Sequence, residues 1–180
     1  MTVMPWTVRR PTSLVLARDV AFPAAAAVVI TWASEMRMPL GLPGHRGLVW
    51  LTLLVAVTLT ARRSQTVLAV GAASTAATVL LQSGPGPWAG VRYLGAAAFL
   101  YLLATNPAVR SRRWLIALAA APIHLVALAV PIATGIVGGH HAGMVGLGDK
   151  ALYHLGFGLV AGVLGWVMAA AIDWAAPETR

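Results

Sequence analysis

The sequence predicts an all-α integral membrane protein, a six-transmembrane-helix bundle with both termini in the cytoplasm. Three observations predict it. The chain of 180 residues is 59% hydrophobic and only 10% charged, with a mean hydropathy of +0.79. Soluble domains run near 45–50% apolar and about 25% charged, so a globule of this size has too little interior to hide these side chains from water. Six apolar segments nearly exhaust the chain, at 18–36, 47–61, 65–82, 89–105, 114–137 and 151–174. A hydrocarbon core about 30 Å thick asks for roughly 20 helical residues, with about 17 workable. The basic residues also alternate. Arg9, Arg10, Arg18, Arg62, Arg63, Arg110, Arg112, Arg113 and Arg180 fall on one side, leaving only Arg37, Arg46, Arg92 and Lys150 on the other. The positive-inside rule makes the arginine-rich side cytoplasmic. Residues 1–180 thus read as one transmembrane domain.

Taken in order, the segments carry their own boundaries. The opening MTVMPWTVRRPTSLVLARD has no short apolar core followed by a small-residue cleavage site, so span 18–36 is expected to be retained. Pro39 and Pro43 break the first outer loop, Arg62 and Arg63 join spans two and three, and SGPGP (83–87) forms the second outer loop. The third, GIVGGHHAGMVGLGD (135–149), is glycine-rich. Pro23, Pro122 and Pro131 lie within spans, where proline kinks a helix and frees a carbonyl.

Several function classes drop out. With no cysteine there is no disulfide, thiolate metal site or cysteine nucleophile. The formal charge of +8 is dispersed in short loops between apolar segments, which fits a bilayer as partner and not a nucleic acid. No HExxH, GxSxG, Walker loop or acidic cluster is present. Ser34 and Ser83 have no base placed by sequence, and a pairing of His154 with Asp149 lacks a nucleophile. No catalytic residue, enzyme activity or cofactor is expected.

The polar inventory is lopsided. The cytoplasmic side carries arginines and little else, while the outer side gathers Glu35, Arg37, His45, Arg46, Trp88, Arg92, Tyr93, His140, His141, Asp149 and His154. Ionisable groups at membrane depth are costly and usually face a bundle interior or a watery cavity. These residues are therefore the candidate binding set for a small polar or anionic ligand, with arginines supplying charge-assisted bonds and Trp88 or Tyr93 a stacking face. Plainer roles compete. Arg37 and Arg46 can snorkel to headgroups, Glu35 can pair with Arg37 or Arg92, and Trp88 and Tyr93 suit an interfacial belt. His124, beside Pro122, reads as a hydrogen-bonded packing residue. His140, His141 and His154, with Asp149, are the metal candidates, suited to zinc, nickel or cobalt, but an organic ligand is preferred and no bound metal is expected.

Three stretches carry a resemblance. Ala17, Ala21 and Ala25 form an AxxxA stripe, RMPLGLPG (37–44) is a proline-containing loop after the first span, and YHLGFGLVAGVLGWVMAA (153–170) is a glycine-rich last span. With six spans in about 180 residues, this layout resembles the substrate-binding S component of energy-coupling factor (ECF) vitamin importers. The resemblance implies a multi-pass protein of the bacterial cytoplasmic membrane that captures a vitamin-like molecule on its outer face. It implies that loops 37–47, 83–89 and 138–150 close over that molecule. It further implies docking of Ala17, Ala21 and Ala25 onto a transmembrane coupling protein driven by ATP-binding cassette ATPases. The family's cobalt and nickel members use an N-terminal Met-His pair. Met1-Thr2 here departs from it, and no biotin, riboflavin, thiamine or folate signature is matched. The alternatives are a small membrane enzyme acting on a lipid or isoprenoid, a structural scaffold, and a metal or haem permease. An importer subunit requires a ligand-sized outer cavity, an enzyme a lateral opening to lipid, and a scaffold polar groups that satisfy one another.

Overall fold

The computed structural model describes residues 16–36, 42–82, 88, 90–137 and 146–175. Arg37, His140, His141, Pro39 and the SGPGP loop lie outside the described residues. Among those described there is no strand. A π-helical turn, Ala17–Ala21, runs into α1 (Phe22–Glu35), followed by α2 (Gly47–Thr60), α3 (Gln65–Leu80) and α4 (Val91–Thr105). A short α5 (Pro107–Ser111), α6 (Arg113–His124), α7 (Val126–Val137) and the long α8 (Leu147–Ala175) complete the chain. The protein is all-helical, and each expected segment is helical over most of its length. The fifth segment divides into α6 and α7 at Leu125, three residues after Pro122, whose ring cannot donate to the ladder. The last begins at Leu147, before the expected 151, with Asp149 in its first turn.

Among the described residues two stretches are long and apolar enough to cross a membrane, Arg113–Ala133 and Leu147–Ala175; Gly47–Thr60, Gln65–Leu80 and Val91–Thr105 are shorter apolar helices. At 1.5 Å per residue, the 14 residues of α2 reach only about 21 Å. α2 touches α1, α3, α4, α6 and α8 and buries Trp50, Leu51, Thr52 and every residue from Leu54 to Thr58. A helix apolar on all sides is one enclosed by others.

α8 is built the opposite way round from a helix at a water-facing surface. Its inward face is small or polar, with His154, Gly158, Ala161, Gly162, Gly165 and Ala169 buried. Its outward face presents Leu152, Leu159, Val160, Val163, Leu164, Trp166 and Val167. The small face lets backbones meet. A Cβ on Gly162 would lie 2.0 Å from the Ala117 carbonyl oxygen of α6, and one on Gly165 would lie 2.7 Å from Val55 of α2. Thr52 Oγ1 donates to the Ala161 carbonyl at 3.2 Å, fastening α2 to α8.

The helices collect their polar groups at two ends. At one, the arginine end, Asp173 of α8 receives Arg18 at 2.7 Å and Arg113 at 2.5 Å. These arginines also reach carbonyls at the C-terminus of α2, Arg18 to Thr60 at 3.2 Å and Arg113 to Leu59 at 3.3 Å. Arg110 donates to the Ala61 and Arg62 carbonyls at 3.1 and 2.7 Å. Asp19 accepts the Arg62 backbone N–H at 3.1 Å. The last carbonyls of a helix lack partners within it and carry the negative end of its dipole, so guanidinium groups are suited to cap them. The sequence marked these arginines as topology signals only. The structure adds that they tie the first turn, α2, α5, α6 and α8 together.

Candidate functional site

The opposite, histidine end is assembled around two imidazoles. His124, at the end of α6, and His154, on the first turns of α8, have ring centroids 4.8 Å apart. His124 Nδ1 donates to the His154 carbonyl at 2.8 Å, and His154 Nδ1 donates to the Lys150 carbonyl at 2.7 Å. Trp50 of α2 meets the His124 ring edge-on at 5.4 Å and the Tyr93 ring of α4 at 5.7 Å. Tyr93 is 1% exposed. Arg92 lies 4.9 Å from the Tyr93 ring centre and donates to its hydroxyl at 2.9 Å.

The GHRG turn (44–47) explains the glycines that lead into α2. Gly44 takes φ +85°, in the left-handed region that glycine enters without a Cβ penalty. A Cβ there would also sit 3.1 Å from His154 Nδ1, and one on Gly47 would sit 1.7 Å from His124 Nε2. The two glycines thus seat the turn on the paired imidazoles, one on each ring. Between them His45 is buried, and its Nδ1 donates to the Leu42 carbonyl.

The tautomers follow. A carbonyl only accepts, so the Nδ1 atoms of His45, His124 and His154 carry their protons, and in the neutral rings Nε2 is an acceptor. His45 Nε2 is buried with no hydrogen-bond partner among the described residues, as is Arg92 Nε. Among the described residues this end therefore holds an unused acceptor on His45 and an unused donor on Arg92, the latter beside the Tyr93 ring; at the other end Arg113 Nε is likewise without a partner. Burying such groups unmade is costly, about 1–3 kcal/mol each; the first is suited to an N–H or O–H donor and the second to an anionic oxygen. No group of three metal-ligating side chains converges among the described residues.

Of the residues singled out in the sequence, His45, Arg92, Tyr93 and His154 are brought to this end. Glu35, Arg46, Trp88 and Asp149 are exposed. Glu35 lines a lateral groove of about 480 Å³ between α1 and α3, with Ala27, Val28, Thr31, Trp32, Ala73, Ala77 and Leu81. Asp149 lines another, about 620 Å³, along α8 with Leu152, Tyr153, Gly156, Phe157 and Val160. Trp88 is 62% exposed, whereas Tyr93 is buried and so does not have the exposed position an interfacial belt would need. His124 has the packing role expected, hydrogen-bonded and 1% exposed, but it also forms half of the imidazole pair. Trp50 and the glycines 44 and 47 were not singled out. Trp50 sits in a wholly apolar run that reads as core, and only its spacing of three from Gly47 could have placed it on the same face.

Ala17, Ala21 and Ala25 are all exposed. Comparison with protein-family models, with curated proteins and with solved structures returns no match for this chain.

Proposed function

We propose that the protein spans the membrane as a multi-helix bundle with its arginine end in the cytoplasm, and that it serves as the substrate-binding subunit of an ECF-type importer. The inverted faces of α8 support the first part, because a helix with small residues inside and Leu, Val and Trp outside is solvated by lipid and not by water. Exposed tryptophans flank the body at both ends, Trp32 and Trp88 near the histidine end and Trp114 and Trp174 near the arginine end, as interfacial belts require.

The observation that carries the binding role is the buried His45 Nε2, which has no partner among the described residues, at the end where Trp50, Arg92, Tyr93, His124 and His154 gather. The ligand is a small molecule with a hydrogen-bond donor for His45 and an anionic group for Arg92, lying against the ring wall. The chain performs no chemistry on it. Exposure of Ala17, Ala21 and Ala25 leaves a face on which a transmembrane coupling protein, driven by ATP-binding cassette ATPases, would dock.

The test is mass spectrometry of small molecules released from purified protein, comparing the native chain with His45→Ala and Arg92→Gln. A bound compound lost in both variants supports the reading. A compound retained unchanged by both, in folded protein, ends it. A second reading, action on a lipid at the outer face, is favoured by the lateral groove holding Glu35. A lipid held through Glu35 and released by Glu35→Gln would select it.

A further inference from the structure

Among the described residues, the arginine end carries more guanidinium groups than carboxylates. Arg110 bonds the Ala61 and Arg62 carbonyls, which draws the Arg62-Arg63 turn against the α5–α6 joint that holds Arg112. Two arginine-bearing loops 48 residues apart in sequence therefore share one surface. Arg62, Arg63 and Arg112 are exposed there. Among the described residues this end has six guanidinium groups, those of Arg18, Arg62, Arg63, Arg110, Arg112 and Arg113, and two carboxylates. Both carboxylates are committed, Asp173 to Arg18 and Arg113 and Asp19 to the Arg62 backbone N–H. Neither Arg63 nor Arg112 pairs with a carboxylate among the described residues.

We infer that this patch binds the headgroup of an anionic phospholipid in the cytoplasmic leaflet. The inference rests on the membrane reading above but not on the importer reading. Charge complementarity selects the headgroup: a guanidinium fork matches two oxygens of a phosphodiester, and basic pockets on the cytoplasmic side of helical membrane proteins recognise such lipids. Depth selects a lipid over a soluble anion. Trp114, 49% exposed, follows Arg112 and Arg113 on the first turn of α6, and Trp174, 87% exposed, follows Asp173. Indole rings so placed sit at headgroup level, and the apolar outer surface of α6, including Leu118, continues below them to meet the acyl chains.

The experiment is native mass spectrometry of the full chain in detergent, equilibrated with equal amounts of phosphatidylglycerol and phosphatidylcholine. The native protein retains the anionic lipid by about ten-fold or more over the zwitterionic one, as several near-surface arginines acting together would give. The combined variant Arg62→Gln, Arg63→Gln, Arg112→Gln loses most of that preference, whereas Lys150→Gln, which removes a charge at the other end, keeps it. Arg110 is left in place because it holds the two loops together. Equal retention of both lipids by the native protein overturns the inference whether or not the combined variant folds. So does displacement of the bound lipid by millimolar glycerol phosphate, which would mark a soluble-anion site, or capture of an acidic polypeptide with no lipid preference. Failure of the membrane reading is separate: it appears as release of the chain from cell membranes by an alkaline wash.

Discussion

At the arginine end, charge is held in place by charge and by backbone: one carboxylate bridges two guanidinium groups, and four consecutive carbonyls, from Leu59 to Arg62, receive arginines from three different elements. The histidine end contains no carboxylate in its ring cluster. There neutral imidazoles are oriented by backbone carbonyls and packed edge-on against Trp50. The first end is cross-linked by its own contacts and faces outward with surplus guanidinium groups, although Arg113 Nε is buried there with no partner among the described residues. Among the described residues the second keeps an acceptor, His45 Nε2, and a donor, Arg92 Nε, unmade.

The contrast breaks most directly at Gly47. A methyl group 1.7 Å from His124 Nε2 cannot be accommodated without moving the ring or the turn, so Gly47→Ala should cost about 3 kcal/mol, the upper part of the range for overpacked cores. Thermal unfolding in detergent measures it. Adding His124→Ala should recover part of the loss, because the two sites share one clash. Gly47→Ala with native stability would mean that the turn does not rest on the imidazole.

Asp173→Asn ranks second. It removes the shared anion of Arg18 and Arg113, whose side chains are 15% and 34% exposed. Breaking a fully buried pair costs about 3–5 kcal/mol, and partial exposure brings the expectation to about 2 kcal/mol. The same unfolding assay in 0.5 M salt sharpens the comparison. The Asp173→Asn deficit should shrink there by about 0.5 kcal/mol or less, because these charges are partly screened. The Gly47→Ala deficit should not change, since a steric clash carries no charge. Equal salt sensitivity of the two variants would erase the distinction between the ends.

The smallest effect belongs between them. Ser74 Oγ of α3 is fully buried with no partner among the described residues. Ser74→Ala should leave stability within about 0.5 kcal/mol of the native protein or raise it, since it removes an unmade hydrogen bond. A loss above about 1 kcal/mol would show that the hydroxyl has a partner.

Much of the helical layout was legible. The prolines, glycines and arginines that punctuate the apolar runs bound α1, α2, α3 and α4 to within a few residues. The candidate site was legible only in part. His45, Arg92, Tyr93 and His154 were recognisable as polar residues next to apolar spans. Their sorting from Glu35, Arg46 and Asp149 was not, because nearness to a span end says nothing about which side of the helix a residue occupies. The role of Asp173 was also hidden, since its two partners are far off in the chain, Arg18 by 155 residues and Arg113 by 60.

What the sequence by itself determined is the helical character, the order of the segments, and the alternation of arginines between the two sides. These follow from local composition and from the length of each apolar run. What only the tertiary structure decided is which faces turn inward: that Gly44 and Gly47 lie on His154 and His124, and that Gly162 meets Ala117. The reason is physical. α2 is apolar on every side, and in α8 the buried side is the less apolar one, so hydrophobicity does not mark the face that turns inward. Azimuth is then set by size and close approach between helices, a property of pairs of segments and not of any one of them.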